Sequence, residues 1–409
     1  MKETKFKNTE IGRIPEEWET LYIHQITEIS TGATPSTNIN EYWENGTIRW
    51  MSSGELNNKI IYDVNGRITQ KGYDNTGTHM LPKNCVLIGL AGQGKTRGTA
   101  AYNKVELCTN QSIAAILPNS KYESKYLYFY IDSLYDKLRL LSAGDGGRGG
   151  LNKQILQNLE IAMPPLNEQH HIASALTSID NLISYLGKLI EKKKNIKQGA
   201  MQQLLTGKTR LKGFSERWVY RKISEIATTS SGGTPSRSIP SYYYGDIKWF
   251  TTTELKDNYL YDSVEHITRE ALNNSSAKMF SANTILMAMY GATIGKLGVL
   301  KEPSTTNQAC CAIKCNDIVE IFLFYILLYN RKSIIEKGCG AGQPNISQAI
   351  VNELSFLVPP CEKEQQAIAT ILTKMDDEIT ALEAKKAKYE AIKQGMMQQL
   401  LTGKIRLIS

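Results

Sequence analysis

Met201-Gln-Gln-Leu-Leu-Thr-Gly-Lys-Thr-Arg-Leu211 returns, one residue changed, as Met397-Gln-Gln-Leu-Leu-Thr-Gly-Lys-Ile-Arg-Leu407. At the same offset Glu168-Gln169 matches Glu364-Gln365, Ile172-Ala173 matches Ile368-Ala369, and Lys197-Gln198-Gly199 matches Lys393-Gln394-Gly395. Upstream the copies align with small shifts: Thr34-Pro35-Ser36 with Thr234-Pro235-Ser236, and Gly46-Thr-Ile-Arg-Trp50 with Gly245-Asp-Ile-Lys-Trp249. Glu55-Leu56 meets Glu254-Leu255, Thr109-Asn110-Gln111 meets Thr306-Asn307-Gln308, and Pro164-Pro165 meets Pro359-Pro360. Ordered matches of this kind make the chain one unit written twice. Each unit is a globular stretch followed by a helix, with boundaries read at 1–165, 166–208, 209–360 and 361–409.

The helices carry a heptad seam. Ile172, Leu176, Ile179, Ile183, Leu186 and Ile190 alternate steps of four and three, and Ile368, Leu372, Met375, Ile379 and Leu382 repeat the stripe. Asn167, after Pro164-Pro165-Leu166, is the expected N-cap, and no proline recurs until Pro235. Lys193, Lys197 and Lys393 interrupt the seam before Ala200, Leu204, Met396 and Leu400 resume it, so the middle is looser or paired differently. Gly207 and Gly403 stand where a left-handed cap is needed. Gly199 and Gly395 lie inside the helical pattern, which predicts a close backbone approach by a partner helix. The run Glu191-Lys-Lys-Lys194 reads as a solvated coiled-coil face rather than a DNA contact.

Two helices in one chain can pair with each other. Each spans about 38 residues, roughly 57 Å. The expected architecture is α+β: two globular domains joined by two long antiparallel helices, an intramolecular coiled coil with pseudo-two-fold tandem repetition. That symmetry suits a ligand with two half-sites. The plainer alternative is a helical dimerisation arm.

The globular stretches open with short apolar runs: Ile48-Arg-Trp-Met51, Cys85-Val-Leu-Ile-Gly-Leu90 and Ser112-Ile-Ala-Ala-Ile-Leu117 in the first copy. The second has Ile247-Lys-Trp-Phe250, Thr284-Ile-Leu-Met-Ala-Met289 and Ala309-Cys-Cys-Ala-Ile313. These read as strands. Tyr126 to Leu141 and Ile318 to Lys337 read as helices leading to glycine-rich loops at Gly144 to Gly150 and Gly338 to Gly342.

Composition bounds the rest. The 409 residues leave room for two or three domains, and 41% hydrophobic content is enough to build their cores. The N-terminal residues lack the apolar centre of a signal peptide, and the longest apolar run, Val319 to Tyr329 broken by Glu320, is half a membrane span. A cytoplasmic location is expected. The seven cysteines are odd in number and irregularly spaced; Cys310, Cys311 and Cys315 cluster without a CxxC pair or a nearby histidine. They read as buried free thiols in a reducing compartment, with no zinc site. A net charge of +8 suits a polyanionic partner without proving one.

Gly89-Leu-Ala-Gly-Gln-Gly-Lys-Thr96 fits the P-loop pattern. A P-loop needs a helix next, so that amides and helix dipole meet the phosphates, but Arg97 to Asn103 reads as turn and strand. The second copy, Met287 to Leu297, keeps Gly295-Lys296 without the first glycine or the Ser/Thr. A loop presenting Lys95 and Arg97 to phosphates or bases is the preferred reading. His24, His79, His170, His171 and His266 form no metal spacing, and no Gly-x-Ser-x-Gly elbow occurs. The Pro-Pro pairs lack the Asn/Asp and aromatic flanks of an adenine methyltransferase. No chemistry is expected in this chain.

The loops do hold hydroxyls and aromatics beside cations: Tyr242-Tyr-Tyr244 with Arg237, and Ser52-Ser53 and Thr251-Thr-Thr253 after Trp50 and Trp249, the tryptophans themselves reading as core. Such groups can bond phosphates and base edges, and arginine can grip guanine. The contact candidates are Thr34, Ser36, Ser52, Ser53, Lys95, Arg97, Arg148 and Lys153 in the first copy. In the second they are Ser236, Arg237, Thr251, Thr252, Lys296 and Gln343.

The whole arrangement resembles the specificity subunit of type I restriction-modification systems, over essentially the full chain. The residues that carry the resemblance are the Gly-x-Thr-Pro-Ser loops at Gly32 to Ser36 and Gly232 to Ser236, and the Thr-Asn-Gln motifs at Thr109 and Thr306. The helix starts Pro164-Pro165-x-x-x-Gln169 and Pro359-Pro360-x-x-x-x-Gln365 and the two Gln-Gln-Leu-Leu-Thr-Gly-Lys tails complete the set. The resemblance implies two target recognition domains, each reading half of a bipartite, asymmetric double-stranded DNA site, with the helices as a ruler for the spacer. It also implies two methyltransferase subunits carrying S-adenosylmethionine, and restriction subunits using ATP and Mg. This chain would supply specificity alone, with no cofactor or membrane of its own. The first copy departs from the second at Gly89 to Thr99, which has no close sequence counterpart, and at Gly144 to Gly150, so the two domains are expected to read different sequences. The alternatives are a P-loop nucleotide-binding protein and a coiled-coil scaffold without DNA specificity.

Overall fold

A computed structural model describes residues 4–92, 94–142, 150–338 and 345–408. The chain divides into two compact units. The first holds Met1–Gly187 and Ala384–Ser409, the second Lys188–Glu383. Both are α+β.

The first unit is built on a five-stranded sheet, in the order Ile29–Thr31, Ile113–Ile116, Val86–Gly89, Ala100–Asn103, Ile60–Ile61. Its three central strands are buried at every residue, because both faces are covered. The alternation of the pleat assigns the faces. Val86, Ile88, Ala100, Tyr102, Ala114 and Ile116 pack with the helix Ser124–Ser133. Leu87, Ala101, Ile113 and Ala115 pack on the other side with Met51 and Leu56. A second sheet pairs Ile48–Met51 with Cys108–Thr109 and Arg67–Ile68.

The second unit repeats this plan. Ala227–Ser231, Cys310–Cys315, Ile285–Ala288, Leu297–Leu300 and Asn258–Leu260 form its main sheet. Ile285 and Met287 face one core, Leu286 and Ala288 the other. Cys310 and Cys311 are buried in it, which pushes both thiols up to about 12.

Within the globular parts the structure departs from the sequence reading at three places. The helix expected over 126–141 is two, Ser124–Ser133 and Tyr135–Leu141, turning at Leu134; the second copy turns at Asn330, between Glu320–Tyr329 and Arg331–Lys337. The turn lets the later helix bury Leu138 or Ile334. The segment Gly89 to Thr99 does have a structural counterpart. Gly98 donates to the Gly89 carbonyl as Gly295 does to Ala288, both at left-handed φ, +81° and +72°. Thus Gly98, not Gly94, corresponds to Gly295. Finally, Trp249 is core as expected, but Trp50 is only half-buried.

The long helices are Leu166–Leu204 and Glu362–Leu400, each of 39 residues. Asn167 is inside the first turn rather than at the cap. The helix starts two residues earlier than that cap would allow, because Gln169 donates from its backbone to Pro165 and from its side chain to Pro164, at 3.0 and 2.8 Å. The same side chain accepts from the Glu123 amide at 2.9 Å, and Gln365 repeats the bridge between Pro359 and Val319. This explains why a glutamine follows each Pro-Pro pair: one buried amide ties the start of the long helix to the start of a neighbouring one.

Within each unit, segments of the two long helices run antiparallel. In the first, Glu168 pairs with Arg406 and Asp180 with Lys393; in the second, Lys193 pairs with Glu378 and Arg210 with Glu364. Ile172, Leu176, Ile179, Leu186, Ile190, Ile368, Leu372 and Ile379 are buried, while Ile183, Met375 and Leu382 are half-buried. The lysines that interrupt the seam are ion-paired across it: Lys197 to Asp376 at 2.5 Å over the Tyr325 ring, and Lys393 to Asp180 at 2.6 Å over Phe129. Lys194 of the lysine run pairs with Glu383 at 2.7 Å. Gly207 and Gly403 close the helices at φ +69° and +67°.

Among the described residues the close approach expected at Gly199 and Gly395 is absent: a Cβ on either would meet nothing within 4 Å. Two residues beyond an inward lysine is roughly 200° around the helix, which turns each glycine to the outer face. Among the described residues no helix is long and apolar enough to cross a membrane.

Candidate nucleic-acid interface

Polar loops meet at one end of the sheets in each unit, and glycine makes the meeting possible. A Cβ on Gly32 would lie 1.8 Å from the Thr109 carbonyl oxygen, and one on Gly232 would lie 2.1 Å from that of Thr306. Only glycine lets the Gly-x-Thr-Pro-Ser loop lie on the Thr-Asn-Gln strand end. Trp50 and Trp249 then pin the loop, donating from Nε1 to the carbonyls of Ala33 and Gly233 at 3.0 and 2.9 Å.

Across the same junction Thr34 donates its hydroxyl to Oε1 of Gln111 at 2.6 Å, and Thr234 does the same to Gln308. The Asn110 amide bonds the Met51 carbonyl and that of Asn307 bonds Phe250, which sets Ser52 and Thr251 beside the cluster. The hairpin loop joins through Leu90 to Ser112 at 2.8 Å, and in the second unit through Met289 to Ala309 at 2.9 Å. The segments at Gly150 and Ile346 complete it. A Cβ on Gly150 would lie 3.8 Å from the Leu90 carbonyl, and the Ile346 amide bonds that of Met289 at 2.8 Å.

Several candidates fall in this cluster. Thr34 and Ser36 are exposed in the first loop, as Ser236 is in the second, its hydroxyl 2.7 Å from that of Ser238. Lys95 is exposed in the hairpin loop. Arg97, next to it, is half-buried and donates to the Ser142 hydroxyl at 3.4 Å. Lys153 is exposed at the first position of Lys153–Gln157.

Other candidates already have local work. The Ser52 amide and hydroxyl both bond Glu55 Oε2, at 3.0 and 3.3 Å, and Thr251 bonds Glu254 likewise at 2.7 and 2.9 Å. These are capping boxes for the short helices that begin at Ser53 and Thr252. Arg237, a contact candidate, has its fork engaged within the chain. It binds both oxygens of Glu265, at 2.5 and 2.8 Å, and stacks on Tyr243 with 4.1 Å to the ring centre. Hydrogen bonding to Arg237 holds the Glu265 carboxyl below the usual range. Lys296 points away from the loops to Asp257 at 2.9 Å, a carboxylate it shares with Arg331. Of the tyrosine triplet, Tyr242 is core and Tyr244 is exposed. Arg148 and Gln343 lie outside the described residues, with most of the glycine-rich loops around them.

The P-loop reading fails on geometry. The segment after Gly89 leads to the antiparallel strand Ala100–Asn103, so among the described residues no helix N-terminus stands behind Lys95 and Thr96. Gln111 and Gln308, the last residues of the Thr-Asn-Gln motifs, join the cluster although sequence reasoning did not single them out as contacts. Their signal was identity between copies at positions that are exposed.

The family described as "Type I restriction modification DNA specificity domain" matches this sequence twice, over residues 15–197 and 215–394. Among similar proteins, the type I restriction enzyme MjaVIII specificity subunit of Methanocaldococcus jannaschii is 28% identical over 438 residues, covering 99% of this chain and 97% of that protein. The EcoR124I/EcoR124II specificity subunit of Escherichia coli is 28% identical over 184 residues, 44% of this chain and 45% of that protein. Two solved structures share the fold. One is the type I restriction-modification S subunit from M. genitalium, with TM-score 0.64, 16% identity, and coverage of 97% of this chain and 98% of that one. The other comes from a study of complex assembly and conformational transition of the type I R-M system, with TM-score 0.58, 15% identity, and coverage of 96% and 99%.

Proposed function

The chain belongs to the type I restriction-modification DNA specificity family, and on that premise we propose that each unit reads one half of a bipartite DNA target. The carrying observation is that one loop junction, Gly-x-Thr-Pro-Ser on Thr-Asn-Gln, is built twice with the same contacts, while the hairpin loops beside it differ in length and sequence. A shared frame with unlike loops is what two readers of different sequences require.

The chain supplies specificity and leaves the chemistry to partners. Two methyltransferase subunits would bring S-adenosylmethionine and modify the DNA, and restriction subunits would bring ATP and Mg. The helices set the spacing. Chain passes between the units only at Gly187–Lys188 and Glu383–Ala384, both inside the long helices, so helix length is the natural determinant of the unread gap.

Replacing residues 1–165 with the first domain of another family member tests the assignment. The methylated sequence, mapped across a host genome, should change in one half-site and keep the other. An unchanged site, or a change in both halves, would count against it.

A further inference from the structure

The duplication gives an internal control for what touches DNA. Two domains that read different half-sites differ where they meet base edges. They can agree where they meet what all duplex DNA shares, the sugar–phosphate backbone. The inference below rests on the family reading and refines it.

The agreement is sharpest at the threonine–glutamine pair. Thr34 donates to Gln111 Oε1 at 2.6 Å, and Thr234 to Gln308 Oε1, so each glutamine is oriented by the loop that faces it. Both glutamines are exposed. Their backbone is fixed as well, through the Asn110 amide to Met51 and the Asn307 amide to Phe250, at 3.1 and 3.0 Å.

Among the described residues no group accepts from either Nε2. A glutamine that reads adenine uses both ends of its amide, Oε1 as acceptor and Nε2 as donor. Here the hydroxyl occupies one of the two acceptor positions on Oε1 and fixes the amide plane, so the two N–H donors of Nε2 are held the same way in both units. Donors held alike in both units match phosphate oxygens, which every half-site offers whatever its sequence. The loop next to it, by contrast, is unlike between copies: eight residues from Leu90 to Arg97 against six from Met289 to Ile294.

We infer that Gln111 and Gln308, each set by its threonine, are sequence-independent contacts to the DNA backbone, one in each half-site, and that base discrimination lies in the loops that differ.

The decisive variants are Gln111→Glu and Gln308→Glu in the full chain. A carboxylate still accepts from the threonine hydroxyl, so the loop junction and the melting temperature should be preserved, but its charge opposes a phosphate. The wild-type chain is first used to enrich a sequence from randomised duplexes. Affinity is then measured for that duplex and for a shuffled duplex of the same length. Each Glu variant should lose about tenfold on both duplexes by the same factor, and should enrich the wild-type sequence unchanged. Gln→Ala variants should show a smaller, equally uniform loss.

An enriched sequence altered at any base, or a loss confined to the selected duplex, would make the glutamine a base reader and overturn the inference. Unchanged affinity for both duplexes would take it off the DNA, and a lowered melting temperature in the Glu variants would make the pair structural. A wild-type chain that enriches no sequence would defeat the specificity assignment itself, and this inference with it.

Discussion

At the residue scale a demanding group is Glu168, 1% exposed, with three side-chain donors on its carboxylate. Arg406 reaches it through Nε and Nη2 at 2.7 and 2.8 Å, and Trp18 through Nε1 at 3.0 Å. A carboxylate taken from water needs such company, since its desolvation is repaid only by close charge and well-formed hydrogen bonds. The second unit sets Arg210 on Glu364 at the same 2.7 and 2.8 Å. Its tryptophan differs, because Trp218 Nε1 is buried without a partner among the described residues. The two tryptophans thus make a matched experiment. Trp18→Phe should destabilise its unit by about 1.5 kcal/mol more than Trp218→Phe does, the worth of a hydrogen bond to a charged group. Hydrogen exchange resolved by peptide reads each unit separately, and equal effects would contradict the assignment.

At the element scale the long helices follow their periodicity, with exceptions that have physical causes. Lysines inside a heptad seam look like defects in sequence. They are tolerable because Asp376 and Asp180 reach them across the helix pair, at positions no single-helix pattern can show. The exposed Gly199 and Gly395 give a direct prediction. Gly199→Ala and Gly395→Ala should each stabilise the protein by about 1 kcal/mol, because the helix gains a better former and the new methyl meets open space. Thermal unfolding measures this; a loss of stability would mean that the outer face is not open.

The strands divide the same way. Ile48–Met51 and Ile247–Phe250 are legible because they are apolar runs bounded by polar turns. Glu19–Tyr22 and Val219–Lys222 are not, being polar and largely exposed. They are strands because they pair with Glu160–Met163 and Ser355–Val358, far along the chain. The Gly-Lys pairs misled for a related reason. Identity aligned Gly94 with Gly295, while backbone bonding and the left-handed φ align Gly98.

At the scale of the whole molecule, duplication and family were fully legible, because a repeat needs no geometry to be seen. The interface was legible only in part. Sequence named loops that the structure brings together, yet it took hydrogen bonds to show that Ser52 and Thr251 cap helices, that Arg237 is held by Glu265, and that Gln111 and Gln308 stand oriented beside them. The central claim is that one chain reads two half-sites through loops joined by helices that set the gap. Inserting one heptad into each long helix, at Gly187–Lys188 and at Glu383–Ala384, tests it most directly. With roughly 1.5 Å of rise per residue against about 3.4 Å per base pair, the insertion can add at most about three base pairs. Mapped methylation should show a longer spacer between two unchanged half-sites; altered half-site bases, or an unchanged spacer, would contradict the account.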